Sequence, residues 1–457
     1  MSMKILCHAG PWSDKYLKYV IKGLNPNANV IITSAHKKVD ETILCEEYYK
    51  NIKKNKNKNF NLDSKDNDII IRCRLLRSIP INKALLHLNS MREAIVSVFD
   101  SINPDLVITE TIDSYVMDLI YEESLKRKIE FVGLVTVFVN GYVRISARGE
   151  YNRIREPLKN EVETVLQMLE NKNYLPAFVA ESKKKVILSV FFRWLRNLIK
   201  PPYFFIKRIV SREYYNYHYW ATLIISLNWF HIWPRFNLGM NDWKNRLRNN
   251  NNKTVIYIPL QMIPEATVDY WCQSLGVIDY DKVLLKIIDQ FSDDFHFLIK
   301  EHPNVLGYRN PSLYDSLCKR KNITFCPTTI ISNELAPWYD AVLVWTGTVG
   351  FESALRGKPV LTLARPYYAS GNQFYEITMN TTVDSIKSFI QDRSSELTSN
   401  EKYSMVEHLL GGVIPGKLQV DGSWKETNND DAAMALELGR NIWNFVISKK
   451  IGQSISK

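Results

Sequence analysis

A chain of 457 residues has room for two or three domains of about 150 residues each, every one long enough to bury its own core. Its apolar fraction of 46% and charged fraction of 23% exclude a largely disordered chain and a collagenous or coiled-coil fibre. The formal net charge is +11, and most of it lies in one short segment.

In chain order, Lys4–His8 reads as a buried strand, Ala9-Gly10-Pro11 as a turn, Asp14–Leu24 as a helix and Asn29–Thr33 as a second strand. This β-loop-α-β order predicts a parallel, doubly wound α/β sheet. Asn51–Asp68 is rich in Asn, Lys and Asp and reads as an exposed loop. Asp68–Arg72 then reads as a strand, Leu86–Phe99 as a helix, Pro104–Thr109 as a strand, Ser114–Lys128 as a helix and Glu130–Val139 as a strand. Residues 1–150 are therefore expected to form one α/β domain.

Residues 151–252 break this rhythm. Between Glu181 and Arg212 nine basic residues face one acid, and aromatic residues are interleaved with them. Lys183, Lys184, Lys185, Arg193, Trp194, Arg196, Lys200, Lys207 and Arg208 suit an anionic membrane surface, with cations on headgroups and rings at the interface. The segment also reads, second to this, as an amphipathic helical insertion packed on the protein. Nucleic-acid binding is the weakest of the three readings. No apolar run approaches the roughly 18 residues of a membrane span; Val186–Phe192 and Trp220–Phe230 are the longest.

Lys253–Leu260 restarts the α/β alternation. Tyr280–Phe291 reads as a helix and Phe295–Lys300, Asn322–Phe325 and Ala341–Trp345 as strands. Asn333–Asp340 reads as a short helix, another helix begins near Gly350, and Lys358–Leu363 is the next strand. Residues 253–430 are thus expected to form a second domain of the same kind. Residues 431–457, most of them in the long helix Asp430–Lys449, are expected to pack back across the first.

Two strand ends in the second domain carry the chemistry. Lys300, Glu301, His302 and Pro303 close one strand, at the edge where open α/β sheets bind ligands. Lys300 suits a phosphate charge and His302 a phosphate hydrogen bond. Thr346, Gly347 and Thr348 then turn from a strand into a helix that includes Gly350 and Glu352. Such a turn offers N–H groups and hydroxyls to an anion, and Glu352 suits the two hydroxyls of a ribose. The turn is neither a Walker A loop nor a GxGxxG loop. Gln261 and Glu265 follow the domain's first strand. Glu265 reads either as a catalytic or sugar-binding carboxylate or as a helix N-cap. In the first domain Glu110 and Asp113 end a strand where a catalytic acid would belong, His8 ends another, and Arg144 is a weak candidate for an anionic acceptor.

No two of the six cysteines form a CxxC pair, so zinc clusters of common spacing are excluded, and no acid cluster suggests another metal. Cys7, Cys73 and Cys326 lie in apolar runs and are expected to be buried thiols in a reducing compartment. The N-terminal residues do not read as a secretory signal. A cytoplasmic location is expected.

The strings YIPLQMIPEAT, IKEHPNVLGYRNPSLYDSL and VWTGTVGFESALRGKPVLT resemble the bacterial capsule polysaccharide biosynthesis proteins, and among them the group related to β-Kdo transferases. The resemblance spans about Lys253–Tyr368. It implies a GT-B glycosyltransferase, with two Rossmann-like domains facing a cleft. The donor nucleotide would bind the C-terminal domain, the acceptor the N-terminal one, and no metal or other cofactor would be needed. His302, Pro303, Thr346, Gly347, Thr348, Gly350 and Glu352 match the family's phosphate and ribose positions, while Gln261 and Glu265 match its Gln-then-acid pattern loosely. The implied reaction moves a sugar from a nucleotide-activated donor, a CMP-sugar such as CMP-Kdo being favoured, to a glycan or lipid-linked acceptor. The implied place is the inner face of the cytoplasmic membrane. An epimerase or polyol-phosphate transferase of the same architecture, and a non-catalytic assembly protein, are the alternatives. Oligomeric state is not legible.

Overall fold

The computed structural model describes residues 2–10, 13–34, 43–171, 174, 176, scattered helical positions between 188 and 206, 242–249, 253–263, 265–302, 305, 309–419, 424–425 and 428–447. The chain divides into two units. Met1–Leu158 and Leu409–Lys457 make most of the first; Lys159–Tyr214 and His218–His408 make the second.

The first unit is built on β1 (Lys4–His8), β2 (Asn29–Thr33), β3 (Leu106–Glu110), β4 (Glu130–Thr136) and β5 (Tyr142–Ile145). β1 pairs in parallel with β2 on one side and β3 on the other, and β4 continues beside β3. Gly141, at φ +87°, turns the chain so that β5 runs back antiparallel to β4. The helix Asp14–Leu24 buries Tyr16, Leu17, Val20, Ile21 and Leu24. These positions form one stripe at helical spacing, and each full burial contributes about 1.5–3 kcal/mol.

The second unit holds β6 (Thr254–Pro259), β7 (Phe295–Lys300), β8 (Ile323–Phe325), β9 (Ala341–Val344), β10 (Val360–Thr362) and β11 (Phe374–Glu376). All six are parallel, in the spatial order β11-β10-β9-β6-β7-β8. The chain runs outward from β6 through β7 to β8, then crosses back to β9. The crevice between the carboxyl ends of β6 and β9 is therefore the switch point at which such sheets bind ligands. Gly357, at φ +75°, ends the helix Val349–Leu355 that follows β9.

A twelfth strand, β12 (Val413–Pro415), joins the first sheet antiparallel to β5. The return to the first unit thus comes at Leu409, some twenty residues before the boundary at 430 read from the sequence. A three-residue strand is too short to show as a periodic run. The closing helix, Asn429–Ile442, lies against Asp14–Leu24 with glycines at the contact. A Cβ on Gly439 would stand 1.9 Å from the Val20 carbonyl oxygen, and one on Gly23 2.1 Å from that of Leu436.

One further reading is corrected. Asp68–Arg72 belongs to a helix, Ser64–Arg72, whose N-cap Asp63 accepts a hydrogen bond from the Asp66 N–H. Capping outweighs the strand preference of the three isoleucines. The helix Lys159–Glu170 clusters with the second unit. Lys183, Lys184, Lys185, Arg193, Trp194, Arg196, Lys200, Lys207 and Arg208 lie outside the described residues. Among the described residues no helix is long and apolar enough to cross a membrane, and no group of three metal-ligating side chains occurs.

Candidate active site

At the carboxyl edge of the second sheet β7 ends on Lys300, which is 9% exposed. Its ammonium makes no hydrogen bond or ion pair among the described residues. Burial lowers its pKa, an effect opposed by Cys326, Glu301 and Glu352. Glu352 stands in the first turn of the helix after β9. Its carboxylate too has no hydrogen-bond or ion-pair partner among the described residues. Burial raises its pKa, against the pull of Arg356 and Lys300. Two opposite charges, each desolvated and neither directly paired, leave a site where a ligand's charge and hydroxyls restore what water has lost.

The turn between them is shaped from within the unit. Tyr368 donates its hydroxyl proton to the Gly347 carbonyl, and the Gly350 N–H bonds the same carbonyl at 3.0 Å. The N–H groups of Gly347, Thr348 and Val349 have no partner among the described residues. Thr348 sits at the N-cap position without a capping side-chain bond, so its hydroxyl is also available. Thr346 is different: it is buried and donates to the Thr267 carbonyl at 2.8 Å, so its hydroxyl is not offered to a ligand. Gly350 is buried under Tyr368, whose hydroxyl would stand 2.6 Å from an added Cβ. Its smallness serves packing rather than close approach of a phosphate.

Glu301 turns out to be the anchor of this edge. It is 1% exposed and accepts from Arg309 Nε at 2.7 Å and Nη2 at 3.1 Å, from the Tyr314 hydroxyl and from the His302 N–H. Arg309 Nη2 also donates to the Gln261 carbonyl at 2.6 Å, and the guanidinium lies 5.5 Å from the Tyr280 ring centre. The Tyr280 hydroxyl in turn accepts from the Gln261 N–H at 2.9 Å. This cluster ties the end of β6 to the end of β7 and fixes the backbones of Gln261 and His302. Pro303 lies outside the described residues.

Gln261 Nε2 donates to Thr267 Oγ1 at 3.1 Å, and Thr267 Oγ1 donates to Glu265 Oε2 at 2.6 Å. Glu265 occupies the N-cap position of the short helix Ala266–Asp269, but its side chain makes no cap bond there. Nothing in the sequence singles out Arg309, Tyr280, Tyr368 or Thr267.

In the first unit Glu110 ends β3 beside the β1–β3 switch point. It accepts from Ser13 Oγ at 2.7 Å, just ahead of the helix Asp14–Leu24. Burial pushes its carboxyl up to about 7; the Ser13 bond pulls down and Asp113 adds to the rise. Asp113 is nearly half-exposed and ion-paired with Arg74. His8 is buried, meets Thr33 Oγ1 at 3.3 Å and is held near pKa 4 by burial, hence neutral at pH 7. Arg144 is 1% exposed and donates to the Gly149 and Glu150 carbonyls, so it is not available to an acceptor.

Two open surface clefts of about 490 and 370 Å³ lie at the other end of the second sheet, around Lys253 at the amino ends of its strands. Their charges are largely satisfied internally, as in Lys387–Asp294 and Arg320–Asp289. They hold none of the groups described above.

Residues 200–388, which contain the whole of this edge, match the family model described as capsule polysaccharide biosynthesis protein. The chain resembles that family. Among solved structures, it is similar to the β-Kdo 2,7 transferase of Thermosulfurimonas dismutans KpsC, at 14% identity over 92% of this chain and 94% of that one, with a TM-score of 0.39. The β-Kdo 2,4 transferase of the same protein matches at 11% identity over 73% and 87%, with a TM-score of 0.37. A UDP-GlcNAc 2-epimerase of Methanocaldococcus jannaschii matches at 12% identity over 90% and 99%, with a TM-score of 0.29. No curated protein matches.

Proposed function

We propose that this protein is a glycosyltransferase of capsular or related surface polysaccharide biosynthesis. It takes a sugar from a nucleotide-activated donor, with CMP-Kdo the favoured one, and passes it to a glycan or lipid-linked acceptor. The observation that carries the reading is the carboxyl edge of the second sheet. There the Lys300 ammonium, the Glu352 carboxylate, the Thr348 hydroxyl and the N–H groups of residues 347–349 are all without partners among the described residues, inside the region that matches the family. N–H groups and an ammonium stabilise a leaving phosphate without a metal. Glu352 is suited to the ribose hydroxyls. In the transfer an acceptor oxygen bonds to the anomeric carbon, the bond from that carbon to the phosphate oxygen breaks, and the phosphate keeps the electron pair. Glu110 takes the acceptor's proton. Burial pushes its carboxyl up to about 7, so it is poised to exchange a proton near neutral pH.

A thermal-shift screen with CMP, UDP, GDP, ADP and dTDP tests the donor site. One nucleotide is expected to raise the melting temperature by binding the native state, a stabilisation of about 2.7 kcal/mol at a hundred times its Kd. Glu352→Ala is expected to lose most of that shift. No shift with any nucleotide overturns the reading.

A peripheral membrane location is part of the same proposal. Leu188, Phe191, Phe192, Leu195 and Ile199 are helical, exposed and spaced as one helix face, and Phe205 and Ile206 follow, exposed as well. Basic residues are interspersed with them in the sequence. Apolar side chains and cations in this pattern suit an anionic lipid surface. Co-sedimentation is expected with phosphatidylglycerol vesicles and not with phosphatidylcholine vesicles, and to fall as salt rises. Equal recovery with both vesicles, or with neither, refutes this location.

A further inference from the structure

Resting on the donor-site reading, we infer that Gln261 is a hydrogen-bond acceptor for a sugar hydroxyl of the bound donor, and that Thr267 is the positioning residue that makes it one. The chain Gln261–Thr267–Glu265 has only one proton order. A carboxylate accepts and does not donate, and a threonine hydroxyl has a single proton. Thr267 Oγ1 lies 2.6 Å from Glu265 Oε2, so that proton is committed to the carboxylate. Oγ1 then has only lone pairs left for Gln261, and the amide meets it through Nε2, at 3.1 Å. The amide carbonyl must therefore point the other way. Gln261 Oε1 lies 3.0 Å from where a Cβ on Gly347 would stand, at the turn after β9, and has no hydrogen-bond partner among the described residues.

The backbone leaves Gln261 little freedom to do otherwise. Its N–H and carbonyl are both fixed, by Tyr280 and Arg309, and the Thr267 carbonyl is held by Thr346 across the same crevice. An acceptor beside a turn of unpartnered N–H groups divides the ligand's chemistry. Phosphate oxygens, which only accept, go to the N–H groups. A hydroxyl, which donates, goes to Oε1. The group adjoining the phosphate in a nucleotide-sugar is the sugar itself. The carbonyl thus discriminates between a loaded donor and the bare nucleotide.

The test compares calorimetric affinities for matched pairs, CMP with CMP-Kdo and UDP with UDP-GlcNAc, in the full-length protein and in Thr267→Val and Thr267→Ser. Valine keeps the shape but removes the hydroxyl, which frees the amide to turn. Thr267→Val is expected to weaken the sugar-nucleotide roughly tenfold more than its bare nucleotide, about the worth of one hydrogen bond. Thr267→Ser is expected to restore the difference. Equal weakening of both members of a pair, or no change in either, overturns the assignment while leaving the donor site standing. Failure of the parent protein to bind any of the four ligands overturns the donor site and this assignment together. If Thr267→Val does not fold, Gln261→Met gives the same comparison: selective loss of the sugar-nucleotide supports the acceptor role, and its retention refutes it.

Discussion

Arg309→Met is expected to destabilise the protein by about 3–5 kcal/mol, because it leaves the Glu301 carboxylate buried without its cation. Both side chains are 1% exposed, and the guanidinium supplies two of the hydrogen bonds that Glu301 accepts. Water does not reach the site to replace them. The double variant Arg309→Met with Glu301→Gln removes the stranded charge and is expected to recover a good part of that loss. It does not recover the bond from Arg309 to the Gln261 carbonyl, and the His302 N–H then faces an amide in place of a carboxylate. Nucleotide binding is therefore expected to stay weak in the double variant although stability returns. Denaturant unfolding and calorimetry on the three proteins separate the two effects. Arg309→Met within 1 kcal/mol of the parent would show that the pair does not anchor this edge.

This cluster also marks where the sequence stops being legible. The strand Phe295–Lys300 and its position before Lys300, Glu301 and His302 follow from a short apolar run that ends in charge, and the strand lies at those bounds. The turn at Thr346–Thr348 is readable for the same reason, since two threonines and a glycine interrupt an apolar run ahead of a helical one. What Glu301 does is not readable. As one of three polar residues in a row it looks like a surface charge, and its partner Arg309 is brought back to it only by tertiary folding. Thr346 and Thr348 look equivalent in the string Thr-Gly-Thr, yet one hydroxyl is bonded to the Thr267 carbonyl and the other is not. Side-chain direction at a turn depends on what packs behind it, here Tyr368 and Thr267. The misread strand at Asp68–Arg72 has a different cause. Asp63 with Asp66 three residues later is a capping signal that lay in plain view, and the run of isoleucines obscured it.

Glu110→Gln is expected to lower the rate of sugar transfer by a factor of about 10²–10⁴, the usual range for loss of a general base. In the parent the rate is expected to rise with pH and level off above an inflection near 7, since the ionised carboxylate is the active form and burial places its pKa there. Ser13→Ala removes a hydrogen bond that favours the charged form, so it is expected to move the inflection upward. Stability runs in the opposite direction. The carboxyl holds its proton more tightly in the folded protein than in the unfolded chain, where it titrates near 4.5. Folding is therefore favoured most at low pH. Stability falls as the pH rises from about 4.5 through 7, and the loss is complete above 7. At about 1.4 kcal/mol per pH unit the cost at pH 8 is on the order of 3–4 kcal/mol. Glutamine does not ionise and escapes that cost. Glu110→Gln is thus expected to melt at a higher temperature than the parent at pH 8 and at about the same temperature at pH 4.5, while losing activity at pH 8, where the parent is most active. A residue held only for structure gives no such opposition. A variant that keeps its activity, or a parent rate that is flat between pH 5.5 and 8.5, removes Glu110 from the reaction and leaves the carboxylates of the second unit to be tested in its place.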